Sequence, residues 1–291
     1  MSEPSDVVQK KQKITGMFNR AAPTYDQVGP KFFSYFGERL VELARISRGS
    51  RVLDVACGRG AVLFPAAQAV GPTGYVTGID LAEVMVRETQ QEGQRRKLVN
   101  VEAQQMDAEN LQFVDESFDY VLSGLALLFF PQPQRALSEM RRVLKPSGHL
   151  ALSTWDRHGD DLWKWFEEDL FTAYMPPTDK TIQPQEPQTP MPLELDTPEG
   201  LGEAMHMAGF TDVEVVAESV DMVYDNEQEW WEALWGTSCR LMLEEIKQAT
   251  GPDGLEKFKQ AVFAHLGTIR QADGIHQVWP VLFAVANKPQ V

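Results

Sequence analysis

Three carboxylates and a run of small residues stand out for the chemistry their types and spacing allow. The segment VLDVACGRG, residues 52–60, reads as a strand ending near Asp54 that turns through Ala56, Gly58 and Gly60 into a helix. Small side chains at such a turn let backbone amides approach a ligand closely. Asp80 closes the next apolar strand, YVTGID, 26 positions after Asp54, a separation that fits one strand–helix–strand unit. A carboxylate there can accept hydrogen bonds from both hydroxyls of a ribose. Asp107 closes a third strand, VNVEAQQMD, and would meet an adenine edge if that strand lies beside the second. Each acid alone reads as a helix cap or loop residue. Their joint placement at successive strand ends favours a ligand site.

The elements that must position these residues follow from hydrophobic periodicity. RVLDVA, YVTGID, VNVEAQQMD, FDYVLSG and HLALSTW read as strands separated by helical stretches, the pattern of a parallel sheet with helices on both faces. DVEVVAESVDMVY alternates as a sixth strand, and VWPVLFAVANKP ends the chain as a seventh. The expected fold is α/β: a doubly wound, mostly parallel seven-stranded Rossmann-like sheet with a helical lid or cap. Residues 1–47 read as a lid of helices broken at Pro23 and at Gly29-Pro30. Residues 48–155 form the core, and 156–235 a cap insertion contributing to a second binding region. Residues 236–291 supply C-terminal helices and the last strand, the whole making one structural domain. Helices are expected over 227–250 and 253–272, a turn at Lys145-Pro146-Ser147-Gly148, and a long proline-rich loop over 176–198. Thr197 is placed as the N-cap of a helix that opens with Pro198 and closes at Gly209.

The 42 acidic and 27 basic residues give a formal net charge of −15. That balance argues against a nucleic-acid binder or attachment to an anionic membrane, both of which need a basic face. The two cysteines, Cys57 and Cys239, suit a reducing compartment, and residues 1–13 lack the apolar core of a signal peptide. The longest apolar stretch, residues 121–130, is about half of what a bilayer crossing needs. The expected location is the cytoplasm. No metal site is expected, because the five histidines show no ligand spacing. Cys57 reads as a small filler. The aromatic residues from Trp155 to Tyr174 read as the core of the cap, and Trp230, Trp231 and Trp235 are treated alike. The first helix has apolar residues without an obvious partner in the chain, which points to a homo-oligomer built through it.

DVACGRG, GIDLAEVMV, MDAENLQF, FDYVLSGLALLFF and MRRVLKPSGHL resemble, in order and spacing, the successive motifs of class I S-adenosylmethionine-dependent methyltransferases. The resemblance is closest to the branch containing ubiquinone- and menaquinone-biosynthesis enzymes and related natural-product methyltransferases. It implies S-adenosyl-L-methionine as cofactor, with Asp54, Ala56, Gly58 and Gly60 along its methionyl part. By the same resemblance Asp80 would bind the ribose, Leu81 and Met85 would pack near the adenine, and Asp107 and Ala108 would meet the adenine edge. Ser123 and Leu125 would face the methionyl group or the acceptor. Tyr25 and Asp26 match a tyrosine–aspartate pair of the lid, with Tyr25 approaching the methionyl end. Two positions depart from the pattern. Ala82 stands where many relatives carry a serine cap, so Asp80 and Glu83 are expected to cap instead. Arg59 stands between the loop glycines, where a cation would disfavour a sulfonium, so it is expected to point to solvent.

The implied reaction is methyl transfer to a small, largely apolar acceptor (a quinol, a phenolic or indole compound, or a prenylated one) by in-line displacement. Positioning can supply about 7–11 kcal/mol of barrier reduction, and no unambiguous base is evident. Tyr25 and His158 are the candidate catalytic residues. An NAD(P)-dependent oxidoreductase remains as an alternative, although Leu63 stands where the dinucleotide fingerprint needs a third small residue. So does a module that binds the cofactor without turnover.

Overall fold

The computed structural model describes residues 4–157, 161–174 and 194–290. Two helices, α1 (Ser5–Ala21) and α2 (Phe32–Ala44), precede β1 (Arg51–Val55), α3 (Leu63–Val70), β2 (Tyr75–Asp80), α4 (Glu83–Arg95) and β3 (Val101–Gln105). Then come β4 (Phe118–Gly124), a 3-10 turn at Leu127–Phe129, α5 (Pro133–Val143) and β5 (Leu144–Trp155). The cap begins with α6 (Asp161–Lys164), a π-helical turn at Trp165–Phe171 and α7 (Thr172–Tyr174). It is followed by α8 (Pro198–Met207), β6 (Thr211–Tyr224), α9 (Glu227–Trp235), α10 (Cys239–Ile269) and β7 (Ile275–Asn287).

The seven strands form one sheet in the order β3-β2-β1-β4-β5-β7-β6. Strands β1 to β5 pair in parallel, and β7 runs antiparallel to both its neighbours. In β1, Val52, Leu53, Asp54 and Val55 are all buried, as a central parallel strand covered on both faces requires. One face packs on α2 and α3 through Phe36, Leu40, Leu63 and Phe64. The other packs on α5 and α8 through Leu137, Met140, Leu201 and Met205. Pro65 sits in the first turn of α3, where its missing N–H costs nothing. The Thr197 hydroxyl accepts the Gly200 N–H at 3.2 Å, and Gly209 leaves α8 with φ +85°.

Four expectations change. First, β5 begins at Leu144, so the residues read as a turn lie within the strand; Ser147 has φ +59°, and its N–H and the Gly148 carbonyl bond to Lys288. Second, the helix expected over 227–250 breaks at Gly236–Ser238, where Thr237 Oγ1 accepts the Cys239 N–H. The separation expected at 251–252 is a kink inside α10, at Gly251 with φ +74° and Pro252. Third, α6, the π-helical turn, α9 and α10 share one core around Phe166, Trp230 and Phe258. The boundary drawn between residues 235 and 236 therefore falls inside a packed layer. Fourth, α1 has a partner in its own chain, because Phe18, Ala22 and Tyr25 pack on Ala82, Val84 and Met85. The stated ground for expecting a second subunit there is removed. Most of the proline-rich segment, residues 175–193, lies outside the described residues. Among the described residues no helix is long and apolar enough to cross a membrane.

Candidate functional site

The carboxyl ends of β1, β2 and β3 converge because β1 pairs with β2 and β2 with β3 in parallel register. Asp54, Asp80 and Asp107 thus stand along one edge of the sheet, where ligands bind in open α/β folds. The turn after β1 is held by its own backbone: the Cys57 N–H reaches the Ile79 carbonyl, and the Gly60 N–H reaches that of Cys57, both at 2.8 Å. Gly60 has φ +87°, and a Cβ there would collide with the Phe64 ring. Gly58 has φ +50°, and a Cβ there would meet no atom within 4 Å, so its missing side chain opens space. Ala56 at φ +58° and Leu125 at φ +52° also adopt left-handed backbone beside the same hollow. Such conformations cost energy for residues other than glycine and gather where ligands bind.

Asp80 Oδ1 accepts the Ala82 N–H at 2.8 Å and Oδ2 accepts the Gly58 N–H at 2.9 Å, so one carboxylate braces both the glycine turn and the start of α4. The second donor of that helix end is capped from outside, because Asn19 Oδ1 of α1 accepts the Val84 N–H at 3.0 Å. Glu83 makes no side-chain cap. Burial pushes the Asp80 carboxyl up to about 6 against those backbone donors. Asp54 is fully buried, and both its oxygens lack a hydrogen-bond partner. Burial, and then the charge of Asp80, hold its carboxyl well above the usual range. Burial favours its neutral form, and a donor brought into the middle hollow reaches oxygens that the chain leaves unpartnered.

Three adjoining hollows run along this edge, with Tyr25 and Leu125 bordering all of them. An inner hollow of about 100 Å³ is lined by Asp80, Leu81, Met85, Asp107, Ala108 and the faces of Ala56 and Gly58. A middle hollow of about 320 Å³ takes in Asp54, Gly60, Asp26 and Ser153. The outer hollow, about 390 Å³, lies beneath the cap between Phe32, Phe33, Trp155, Trp279 and Phe129. Its rings are already packed on one another: Phe32 stacks on Trp279 at 4.9 Å and Tyr25 on Phe33 at 4.5 Å. Burial lifts the Tyr25 phenol well above its ordinary value, so it stays protonated and can donate.

Eleven of the expected cofactor residues border these hollows: Tyr25, Asp54, Ala56, Gly58, Gly60, Asp80, Leu81, Met85, Asp107, Ala108 and Leu125. Ser123 does not. It is buried inside the sheet, and its hydroxyl donates to the Val55 carbonyl at 3.1 Å. Ser153 on the neighbouring strand borders the middle hollow instead, and its Oγ accepts the Leu125 N–H. His158 lies outside the described residues. Arg59 does not point to solvent. Its side chain is 13% exposed and Nη1 donates to the Ala22 carbonyl at the end of α1, with Glu88 at 3.6 Å. A guanidinium is favoured there because the last carbonyls of a helix lack partners. Trp155 faces the outer hollow, whereas Trp165, Phe166, Trp230 and Trp231 belong to the cap core as expected. Cys57 is buried with its thiol pushed up and packs over Gly78, as a filler does.

The sequence reading missed Lys11, Glu109 and Ser153. Lys11 had a signal: with Ile14 and Phe18 it falls at helical spacing on the face that borders the inner hollow. Among the described residues no group of histidine, cysteine or acid side chains is arranged to hold a metal.

A family profile described as a methyltransferase domain matches residues 46–189. The chain is 40% identical over 144 residues to the aklanonic acid methyltransferase of Streptomyces sp. (strain C5), across 50% of this chain and 66% of that protein. It is 34% identical over 171 residues to the demethylmenaquinone methyltransferase of Listeria welshimeri, across 57% of this chain and 72% of that protein. It thus spans about two thirds of the first relative's length and somewhat more of the second's. Among solved structures, the YcgJ protein of Bacillus subtilis matches with a TM-score of 0.56 at 19% identity, covering 88% of this chain and 99% of that one. That likeness concerns the fold alone.

Proposed function

The chain belongs to the methyltransferase-domain family, and on that premise we propose that it moves a methyl group from S-adenosyl-L-methionine to a small, largely apolar acceptor. The observation that carries this reading is the unbroken line of hollows. It leads from three strand-end acids, past the Tyr25–Leu125 junction, into an aromatic chamber. Asp80 would hold the ribose and Asp107 the adenine edge. The unpartnered oxygens of Asp54 would receive the ammonium end of the methionyl part. When bound, the cofactor supplies an activated methyl group on a sulfonium, which the acceptor displaces in line.

The chain's own work is placement and water exclusion. Tyr25 stacked on Phe33 narrows the passage between the inner and outer hollows, and its protonated phenol donates rather than abstracts. Phe32, Trp155 and Trp279 offer flat faces to an acceptor ring. Relatives named for aklanonic acid and demethylmenaquinone support a planar acceptor such as a quinol or phenol. The acids of the chamber are Asp156 and Asp196, the second paired with Arg157 at 2.9 Å, and catalysis by positioning asks no proton transfer of either.

Calorimetry with S-adenosylmethionine, S-adenosylhomocysteine and NAD tests the cofactor. Binding of the first two and not the third is expected, and the reverse would replace this reading with a dehydrogenase. Incubation with methyl-labelled cofactor and a panel of quinols and phenols then reads transfer directly by mass spectrometry. Binding without transfer to any acceptor, in that panel or in a cell extract, would leave a silent module.

A further inference from the structure

One charged side chain enters the inner hollow from α1. Lys11 is nearly buried, its side chain 10% exposed, and its Nζ lies 2.7 Å from Asp107 Oδ2 and 2.8 Å from Glu109 Oε2. Glu109 is 1% exposed, and its other oxygen accepts the Gln132 N–H at 2.6 Å. Asp107 Oδ1 accepts the Glu109 N–H at 2.9 Å. The chain's own turn therefore uses Oδ1, and Oδ2, the oxygen left for an exocyclic amine, carries Lys11.

The other charged contacts of α1 lie at the surface. Lys13 meets Glu245 and Arg20 meets Glu244, with the two cations at least half exposed. Exposed pairs of that kind contribute little. Lys11 differs because it is desolvated between two acids, and removing one partner of such a group is costly. The same helix covers the hollow: Ile14 and Phe18 line it, and Phe18 meets Phe129 edge-on at 5.2 Å across its mouth.

We propose that Lys11 is a gating residue. It latches α1 over the cofactor hollow by bridging Asp107 and Glu109, and it must give up Asp107 for the nucleoside to enter or leave. Release does not strand Glu109, which keeps the ammonium after Asp107 has turned to the ligand. Lys11 joins both acids in the empty lid and only Glu109 in the loaded one, where the ligand takes its place at Asp107. Lys11 thus sets the rate at which the cofactor exchanges. The proposal rests on the reading of these acids as the nucleoside site.

The test uses Lys11→Met, the double variant Lys11→Met with Glu109→Gln, which leaves no unpaired buried acid, and Lys11→Arg. In the ligand-free protein, amide hydrogen exchange along α1 should quicken about tenfold in both methionine variants while α3 stays unchanged. Stopped-flow binding of S-adenosylhomocysteine should then show association and dissociation rising together by about tenfold, with Kd within about threefold of wild type. Arginine should restore the wild-type behaviour. The latch is overturned if α1 exchanges at the wild-type rate, if it opens without faster association, or if dissociation alone accelerates, which marks a plain ligand contact. Titration of the wild type separates the two readings. A chain that binds no S-adenosylhomocysteine overturns the cofactor assignment and the gate with it, whereas normal wild-type binding with unaltered variants overturns only the gate.

Discussion

Asp80 shows what a binding acid costs an empty protein. Its carboxyl sits near 6 in the folded chain against an ordinary value of 3.8, so the folded form holds the proton more tightly than the unfolded form. The penalty on folding is complete above pH 6 and fades as the pH falls from 6 toward 3.8. Asp80→Asn trades one of the two acceptors for an amide donor facing a backbone N–H, so it should melt below wild type at about pH 4, with the gap narrowing toward about pH 7.5 as the wild-type acid takes on its charge penalty, while binding of S-adenosylhomocysteine is lost. In the wild type, affinity for that ligand should weaken as the pH drops through about 6, because the protonated acid no longer accepts from both hydroxyls. The two loop glycines fail in different ways. Gly60→Ala forces a Cβ into Phe64 at a positive φ and should lower stability by about 2–3 kcal/mol in denaturant titration. Gly58→Ala meets open space, so its smaller loss, about 1 kcal/mol, should come with a larger loss of cofactor affinity measured by calorimetry.

At the scale of elements, α1 and α4 depend on one another. Asn19 completes the N-terminus of α4 from across the interface. Asn19→Ala should cost about 1 kcal/mol, read by thermal unfolding, and should also loosen α1. A substitution that only weakened α4 would leave α1 exchange unmoved. The order and type of the core elements were legible in the chain because each buried strand is a short apolar run closed by an acid, a glycine or a polar turn. The strand-end acids were legible for the same reason, since a parallel sheet presents every strand end at one edge. What escaped reading is long-range. Lys11 lies 96 positions from Asp107, and its helical spacing with Ile14 and Phe18 gives the face it shares but not the acid it meets. Ser123 was misplaced because one residue decides whether a strand side chain points into the sheet's packing or toward its edge. Arg59 was sent to solvent because a cation disfavours a sulfonium, and the carbonyl that instead holds it lies at a helix end 37 positions away.

At the scale of the molecule, the acceptor chamber has walls from both ends of the chain. Phe32 and Phe33 come from α2, Trp155 from the end of β5, and Trp279 from β7. The antiparallel pairing of β5 with β7 sets Trp155 opposite Val281 and brings the two indoles to 5.2 Å. Trp279→Leu should raise KM for a planar acceptor by about tenfold and leave S-adenosylhomocysteine binding unchanged, a split that steady-state kinetics and calorimetry resolve together. A variant that weakened both equally would mean that Trp279 supports the whole edge rather than the chamber. The strand carrying it has another effect, on how the protein is made. Strand β6 joins the sheet only through β7, which is threaded between β5 and β6 after both have been synthesised. On the ribosome the nascent polypeptide must hold fourteen residues of β6 without a strand neighbour until β7 has left the exit tunnel. The acids spaced along that strand, Asp212, Glu214, Glu218 and Asp221, are the kind of charge that keeps such a waiting edge from pairing with a stranger.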